Sequence, residues 1–296
     1  MAEDRRQRVA VITGASSGVG RAAATALARQ GWRVIGQGRD AARTTEAEAE
    51  VRAAAPDAQV DFIRADLASM ADTARLADTI LGMTDRVDVL INNAGGVGTE
   101  RVVTAEGNEA LFAGNHLGHF LLTQRLLPLL RATAAGAGPG AVRILSTSSD
   151  ASGMGPGIDW DDLQLLEKFN PGWAYCNAKL ANILFTRGLA QRLAGDGITA
   201  NAVHPGVVAS NFTSHADEGM RARMAGLKAF TPEEGADTLV WLATGAEGGS
   251  NSGGFYHQRA PFPIGPQGLD DASVERLWAE SEKIIARGRA RIGESQ

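Results

Sequence analysis

The sequence contains a single cysteine, Cys176, among its 296 residues. One cysteine cannot form an internal disulfide, and the first eight residues lack the apolar stretch of a secretory signal. The sequence also has no run of about 18 apolar residues, the length that a membrane-spanning helix requires. We therefore expect a protein of the reducing cytoplasm that has no membrane partner.

A large excess of charge of one sign is absent as well, because 29 basic residues stand against 34 acidic ones, for a net charge of −5. This balance gives no electrostatic reason to expect nucleic acid as a partner, so a small molecule is the expected ligand. A complete set of metal ligands is also missing. His116 and His119 are three residues apart without a third ligand at a matching spacing, and we predict no metal site.

Short β-branched runs alternate along the chain with longer stretches rich in alanine and leucine. This alternation is typical of βαβ units around a buried parallel sheet. We predict an α/β fold, a single Rossmann-type doubly wound domain over residues 1–296, with a central parallel sheet of about seven strands and helices on both faces. The predicted strands are 8–13, 33–36, 59–65, 88–92, 142–147, 198–204 and 253–256.

Residues 150–172 mix glycine and proline with apolar residues that follow no regular period. Ordered loops of this length often form lids or pocket walls. We predict that this insertion, together with residues 207–230, encloses the substrate pocket.

A glycine-rich turn, Thr13-Gly-Ala-Ser-Ser-Gly-Val-Gly20, follows the first predicted strand and leads into a helix-forming segment. Glycines let the backbone approach a pyrophosphate closely, and a helix N-terminus offers free N–H groups and a partial positive charge. The spacing differs from GxGxxG, and the alternative is an ordinary tight turn. Strand, turn and helix in this order nevertheless predict a dinucleotide site. Its expected contacts are Gly14, Ser16, Ser17, Gly18, Val19 and Gly20.

The end of the second predicted strand bears on the choice of dinucleotide. An acidic residue there would favour NAD, whereas this chain has Gly36-Gln-Gly-Arg-Asp40. Gly38 leaves space, and the guanidinium of Arg39 can pair with a 2′-phosphate, so we predict NADP(H) in preference to NAD(H). The alternative for Arg39 is a solvated loop charge, and Asp40 is predicted to cap the next helix.

Tyr175 and Lys179 are four residues apart in Tyr175-Cys-Asn-Ala-Lys179, at the start of a segment with helical apolar periodicity. Positions i and i+4 share one face of a helix. A neighbouring ammonium favours the phenolate and lowers the tyrosine pKa from its usual value of about 10. The pair therefore predicts an acid/base centre, although an isolated YxxxK would more often lie on an ordinary amphipathic helix.

Four motifs in this order together resemble the short-chain dehydrogenase/reductase family. They are the glycine turn, Asn92-Asn-Ala-Gly95 after the fourth predicted strand, Ser149 after the fifth, and the pair Tyr175 and Lys179. The resemblance covers nearly the whole chain. It implies a central parallel sheet that binds NAD(H) or NADP(H).

The resemblance also implies roles for individual residues. Tyr175 is the expected general acid/base, and Lys179 is its pKa-lowering partner and a ribose ligand. Ser149 is expected to polarise the substrate carbonyl, and Asn115 to hold a proton-relay water beside the lysine. The further dinucleotide contacts are Asp66 and Leu67 at the adenine, Asn93, Ala94 and Gly95 on the adenosine ribose side, Pro205 and Gly206 beside the nicotinamide, and Val208.

Three serines, Ser146, Ser148 and Ser149, compete for the carbonyl-polarising role, and we choose Ser149, with Ser148 as the nearest alternative. The 26 positions from Ser149 to Tyr175 exceed the commonest family spacing. Together with Asn115-His-Leu-Gly-His-Phe120, the sequence from Tyr175 to Asn182 resembles the retinol dehydrogenase and protochlorophyllide reductase-like subgroup. Members of that subgroup handle bulky apolar substrates.

We therefore predict an NADP(H)-dependent oxidoreductase acting on CH–OH donors, a ketoreductase in the reductive direction. It would transfer hydride between the nicotinamide and the carbonyl, or the primary or secondary alcohol, of a fairly large apolar substrate. The alternatives are a non-redox lyase or epimerase on the same fold, and a non-catalytic NADP-binding sensor. The family resemblance also implies a homodimer or a homotetramer.

Overall fold

An eight-stranded sheet runs through the computed structural model, which describes residues 7–208, 226 and 229–291. The spatial order of the strands is β3-β2-β1-β4-β5-β6-β7-β8, and every neighbouring pair is parallel except β7 with β8. The strands are β1 (Val9–Ile12), β2 (Arg33–Gly38), β3 (Val60–Arg64), β4 (Val89–Asn92), β5 (Val142–Thr147), β6 (Ile198–Val203), β7 (Phe255–His257) and β8 (Ala260–Pro261).

Helices connect the strands. They are α1 (Gly18–Arg29), α2 (Ala41–Ala54), α3 (Met70–Met83), α4 (Ala110–Phe112), α5 (Gly118–Ala137), α6 (Pro171–Arg192), α7 (Pro232–Thr244), α8 (Ala246–Ser250), α9 (Pro266–Leu269) and α10 (Asp271–Arg291), with a π-helical turn at Ala113–Leu117 and a 3-10 turn at Asp150–Gly153. Among the helices described, none combines the length and the apolar character needed to cross a bilayer.

The apolar faces of the helices pack on both sides of the sheet. One buried cluster joins α3, α5, α6 and α10 to the strands, and a second joins α1, α2 and α7 to them. This arrangement confirms the predicted Rossmann-type α/β fold with helices on both faces. Strand order reverses between β1 and β4, and ligands of such sheets bind at the carboxyl ends of the strands at this reversal.

The two-residue strand β8 was missing from the sequence prediction. It pairs with β7 through a tight turn in which Gln258 and Arg259 both have positive φ, 49° and 59°. Primed turns of this kind match the twist of a hairpin, and they usually contain glycine or asparagine. The turn contains neither glycine nor asparagine, and β8 is very short. No local sequence pattern therefore predicted this strand.

The predicted insertion 150–172 packs on the rest of the fold through buried apolar side chains and polar anchors. Ile158 and Leu163 belong to the larger buried cluster. The N–H of Ile158 donates to Gln267 Oε1 at 2.9 Å, and Gln164 Nε2 donates to Asn108 Oδ1 at 3.3 Å. Of the second predicted pocket segment, 207–230, residues 209–225 and 227–228 lie outside the described residues.

A buried ion pair, Arg86 with Asp88, lies at the opposite end of the sheet, just before β4. Asp88 Oδ2 accepts the N–H of Val9 at 2.8 Å, and Arg86 Nε donates to both carboxylate oxygens at 2.9 and 2.8 Å. The Asp88 side chain is 2% exposed. Removing one partner of such a pair leaves the other charge buried without compensation.

We predict that Asp88→Asn lowers the free energy of unfolding by about 3 kcal/mol, since the buried Arg86 guanidinium would lose the carboxylate charge of Asp88. Urea denaturation followed by circular dichroism measures the loss. Asp78→Asn is the matched control, because Asp78 is 64% exposed in its pair with Arg125 and such pairs contribute about 1 kcal/mol or less. Equal losses in the two variants would contradict the prediction.

Candidate active site

The turn between β1 and α1 has the backbone shape that phosphate binding requires. Gly14 and Gly18 have φ of 66° and 51°, in the left-handed region that favours glycine. A Cβ atom on Gly20 would lie 2.2 Å from the carbonyl oxygen of Gly14. Ser17 occupies the N-cap of α1 without a side-chain capping bond, so the N–H groups of the first turn can serve an anion.

Two side chains that the sequence analysis missed hold this turn in place. Thr13 Oγ1 accepts the N–H groups of Asn93 and Ala94 at 2.8 and 3.0 Å. Gln37 Oε1 accepts the N–H of Gly14 at 2.9 Å, and Gln37 Nε2 donates to Ala65 O at 2.6 Å. Gln37 could have been identified from the sequence, because it is a polar residue within an otherwise buried strand.

A cavity of about 700 Å³ extends from the glycine turn along the carboxyl ends of the strands. Every site residue predicted from the sequence lines it. These residues are Gly14, Ser16, Ser17, Gly18, Val19, Gly20, Arg39, Asp66, Leu67, Asn93, Ala94, Gly95, Asn115, Ser149, Tyr175, Lys179, Pro205, Gly206 and Val208. Among the lining residues that the prediction did not include are Gln37, Arg43, Asp150, Met154, Trp173 and His204.

Asn115 lies in the π-helical turn, a distortion that frequently occurs at functional sites. Its amide nitrogen donates to the carbonyls of Gly96 and Leu111 at 3.1 and 2.8 Å, and Oδ1 accepts the N–H of Gly96 at 3.1 Å. A Cβ atom on Gly95 would lie 2.5 Å from Asn115 Oδ1 and 3.0 Å from Lys179 Nζ. Glycine at position 95 thus keeps the lysine and the asparagine side by side.

The two histidines of this segment are buried and hydrogen bonded. His119 Nδ1 lies 3.1 Å from the carbonyl oxygen of Asn115, and Nε2 lies 2.9 Å from Thr13 Oγ1. His116 Nε2 lies 2.8 Å from Ser281 Oγ. Burial lowers the pKa of each histidine to about 3, so both rings are neutral at physiological pH.

Lys179 is buried near the end of β5, on a helix that begins with Asn170 as its N-cap and Pro171 in its first turn. Both features favour a helix start. Lys179 Nζ donates to the carbonyl of Thr147 at 3.4 Å and lies 5.6 Å from the ring centroid of Tyr175. Burial lowers the pKa of Lys179 to about 8.

Tyr175 shares the cavity-facing side of α6 with Lys179. Burial raises the pKa of Tyr175, a hydrogen bond with Ser149 opposes this, and the charge of Asp150 raises the pKa further. The spacing of the pair predicted that Lys179 lowers this pKa. In the structure the pKa is raised instead, chiefly by burial, because loss of solvation disfavours the phenolate.

The structure distinguishes the two neighbouring serines. Ser148 Oγ donates its proton to the backbone carbonyl of Lys179 at 2.7 Å and is buried. Ser149 Oγ lies beside Tyr175, donates to Asp150 Oδ1 at 2.9 Å and accepts the N–H of Ala151 at 3.2 Å. Ser148 thus braces α6, which leaves Ser149 as the better placed of the two to meet a substrate.

Arg39 lines the far end of the cavity together with Arg43. Asp40 accepts the N–H of Arg43 at 2.9 Å, which confirms its predicted role as the N-cap of α2. A Cβ atom on Gly38 would lie 2.7 Å from the Ser16 side chain, so glycine keeps this end of the cavity open. The cavity lining just after β2 therefore contains the guanidinium groups of Arg39 and Arg43, and its one carboxylate, Asp40, is the helix cap.

The other end of the cavity has an apolar rim. Met154, from the insertion, and Trp173, in the first turn of α6, are 53% and 47% exposed and both line the cavity. Large apolar side chains that stay exposed beside a cavity are typical of ligand-binding sites. The rim thus gives the cavity an apolar surface at the Tyr175 end.

Comparison with known proteins gives one family model, described as short chain dehydrogenase, which matches residues 8–161 and 163–221. Among curated proteins, mouse (Mus musculus) retinol dehydrogenase 14 is 38% identical over 94% of this chain and 86% of its own length. Human (Homo sapiens) retinol dehydrogenase 13 is 36% identical over 94% of this chain and 84% of its own length.

Two solved structures extend the comparison. The RhlG/NADP active-site complex of Pseudomonas aeruginosa has a TM-score of 0.68 and 27% identity, and covers 93% of this chain and 100% of that chain. NADH-dependent reductase A1-R′, complexed with NAD, has a TM-score of 0.65 and 26% identity, and covers 88% of this chain and 98% of that chain. Neighbours of this fold therefore include complexes with either dinucleotide.

We predict that Thr13→Val lowers the free energy of unfolding by about 2 kcal/mol, since two N–H groups of the loop after β4 would lose their acceptor. Hydrogen exchange should become faster at Asn93 and Ala94. Thr13→Ser, which keeps the hydroxyl, is the control and should behave like the unsubstituted protein. The prediction is wrong if the valine and serine variants exchange and unfold alike.

Proposed function

Because this chain belongs to the short-chain dehydrogenase family, we propose that it is an NADP(H)-dependent oxidoreductase that interconverts a large apolar carbonyl compound and its alcohol. The family membership confirms the resemblance found in the motifs. The observation that carries the proposal is the meeting of Ser149, Tyr175 and Lys179 in one cavity that continues to the glycine turn.

The chain fits a dinucleotide at several points. The turn at Gly14–Gly20 would hold the pyrophosphate against the N-terminus of α1, where a side chain at position 20 would collide with the backbone. Asp66 and Leu67 would contact the adenine, and Asn93 to Gly95 the adenosine ribose. When bound, the nicotinamide supplies the hydride for reduction or accepts it in oxidation.

The proton chemistry belongs to residues of the chain. Since burial keeps Tyr175 in its phenol form, its hydroxyl can donate a proton to the carbonyl oxygen as the electron pair of the C=O bond moves onto that oxygen. Oxidation is the reverse step and requires the phenolate form of Tyr175, whose oxygen then takes the proton of the alcohol. The Lys179 ammonium lies over the tyrosine ring and offsets the negative charge that remains on Tyr175 after transfer.

The preference for NADP(H) is supported by the end of β2. Arg39 and Arg43 both line the cavity where the adenosine ribose would lie, and guanidinium groups pair well with phosphate. Asp40 is engaged as a helix cap and faces Arg43, so it is a poor partner for a ribose hydroxyl. These contacts favour a 2′-phosphate over a free 2′-hydroxyl.

The substrate class is supported by the rim of Met154 and Trp173 and by the relatives, which are named as retinol dehydrogenases. A panel of all-trans-retinal, decanal, β-tetralone and pyruvate, followed by the nicotinamide absorbance, tests it. The proposal requires turnover of at least one of the three apolar carbonyl compounds and a kcat/KM for pyruvate well below theirs. Turnover of pyruvate alone would overturn the proposed substrate class.

We also propose a cytoplasmic location and a homodimer or homotetramer. The single cysteine supports a reducing compartment, and the family resemblance supports self-association. Sedimentation velocity of the purified chain tests the assembly, and fractionation of the cells that produce it tests the location.

We predict that Tyr175→Phe lowers kcat by at least about 100-fold, because the variant loses the group that transfers the proton. The affinity for NADPH, measured by isothermal titration, should change by less than about twofold, since the ring is kept. Tyr256→Phe is the matched control, because Tyr256 is the second of the two tyrosines and lies in β7 outside the cavity lining. Full activity of Tyr175→Phe would refute the assigned role.

We predict that Arg39→Ser weakens NADPH binding by about 10- to 100-fold and leaves NADH binding within about twofold, since only NADPH carries the 2′-phosphate. Isothermal titration with each dinucleotide measures both values. Arg75→Ser, which removes an exposed guanidinium paired with Asp72, is the control. Equal weakening of NADPH and NADH by Arg39→Ser would contradict the predicted preference.

A further inference from the structure

Asp150 follows Ser149 directly and takes the only proton of its hydroxyl. Ser149 Oγ lies 2.9 Å from Asp150 Oδ1, and the N–H of Ala151 donates to the same Oγ at 3.2 Å. The Asp150 side chain is 41% exposed and lines the cavity, so it faces the space that a substrate would occupy. The motifs of the sequence did not include this residue.

The hydrogen-bonding capacity of the two groups decides what Ser149 can offer a substrate. A serine hydroxyl has one proton to donate and two lone pairs that accept, whereas a carboxylate only accepts. Ser149 must therefore be the donor toward Asp150. A substrate carbonyl oxygen also only accepts, and a carboxylate is the stronger acceptor because the bond is charge-assisted. The carboxylate and the carbonyl thus compete for one proton.

An alcohol substrate meets no such competition. The remaining lone pair of Ser149 Oγ accepts from the Tyr175 phenol, because the serine proton points to Asp150 and the N–H of Ala151 takes the other lone pair. An alcohol hydroxyl placed between the two side chains can accept the Tyr175 proton and donate its own to Ser149 Oγ, whereas a carbonyl oxygen can only accept. The arrangement of Ser149 and Asp150 therefore accommodates an alcohol without moving the Ser149 proton. A carbonyl compound requires the Ser149 proton to leave Asp150 first.

The charged and titratable neighbours of Asp150 do not cancel its charge at neutral pH. His204 Nε2 lies 3.8 Å from Asp150 Oδ1, but burial lowers the pKa of His204 to about 4, with Asp150 opposing the shift, and the imidazole is neutral. The ring centroid of His257 lies 4.6 Å from that of His204. On α6, Tyr175 is a phenol and the Lys179 ammonium donates to the Thr147 carbonyl.

On the basis of the proposed function, we propose that Asp150 is a positioning residue that holds Ser149 as a hydrogen-bond acceptor. It thereby favours binding of the alcohol over binding of the carbonyl compound. The effect of Asp150 passes through Ser149 and sets the ratio of the two affinities.

The ratio can be measured in complexes that do not react, namely the carbonyl compound with the NADP⁺ complex and the alcohol with the NADPH complex. The probes are the carbonyl compound of the panel with the highest kcat/KM and its own alcohol, titrated into the unsubstituted enzyme, Asp150→Asn and Asp150→Ala. The alanine variant removes the acceptor completely, whereas the asparagine variant removes the charge and keeps the shape. Because the side chain is partly exposed, both variants should fold.

We expect both Asp150 variants to bind the carbonyl compound about 5- to 10-fold more tightly and to change the alcohol affinity by less than about twofold. In a Ser149→Ala background the same substitutions should change the carbonyl affinity by less than about twofold, since the coupling is lost. Asp161→Asn, which removes an exposed carboxylate from the same insertion, is the matched control and should leave the ratio unchanged.

The inference is overturned if the carbonyl affinity is unchanged or weaker in the Asp150 variants. It is also overturned if both affinities shift equally, or if the effect persists without Ser149. A structural role of Asp150 alone would move both affinities together. NADPH binding and turnover by the unsubstituted enzyme report separately on the proposed function, so an active enzyme with an unmoved ratio removes this inference and leaves that function standing.

Discussion

Close packing of the turn after β1 against the loop after β4 is the constraint on which the site depends. A Cβ atom on Gly14 would lie 2.8 Å from the Cα of Ala94, and the hydroxyl of Thr13 accepts two N–H groups of that loop. Strand order reverses between these two strands, so the connections leave in opposite directions and open a crevice. The floor of the cavity forms where Gly14 lets the two backbones approach closely and the Thr13 hydroxyl links them.

Burial beside this floor controls the acid/base groups. The Thr147 carbonyl accepts hydrogen bonds from both Lys179 Nζ and Asn182 Nδ2, which fixes α6 against the end of β5. Burial lowers the pKa of Lys179 and raises that of Tyr175, so it favours the neutral form of each group. The proton consequently stays on the tyrosine oxygen, where a reduction needs it.

The two halves of the cavity are built differently. The half at the glycine turn depends on backbone shape, glycines and a helix N-terminus, which suit phosphate groups. The half at Tyr175 is lined by side chains from the insertion and the start of α6, among them Asp150, Met154 and Trp173. This division agrees with a shared fold that serves many substrates.

The sequence by itself determined the α/β fold, the glycine turn and the helix carrying Tyr175 and Lys179, because each follows from residues close together in the chain. Only the tertiary structure decided that Thr13 anchors the loop after β4, that Ser148 bonds to a helix carbonyl, and that burial raises the pKa of Tyr175. These depend on contacts between segments far apart in the chain. Such contacts leave no periodic or local pattern, and loss of solvation exists only after the chain has folded.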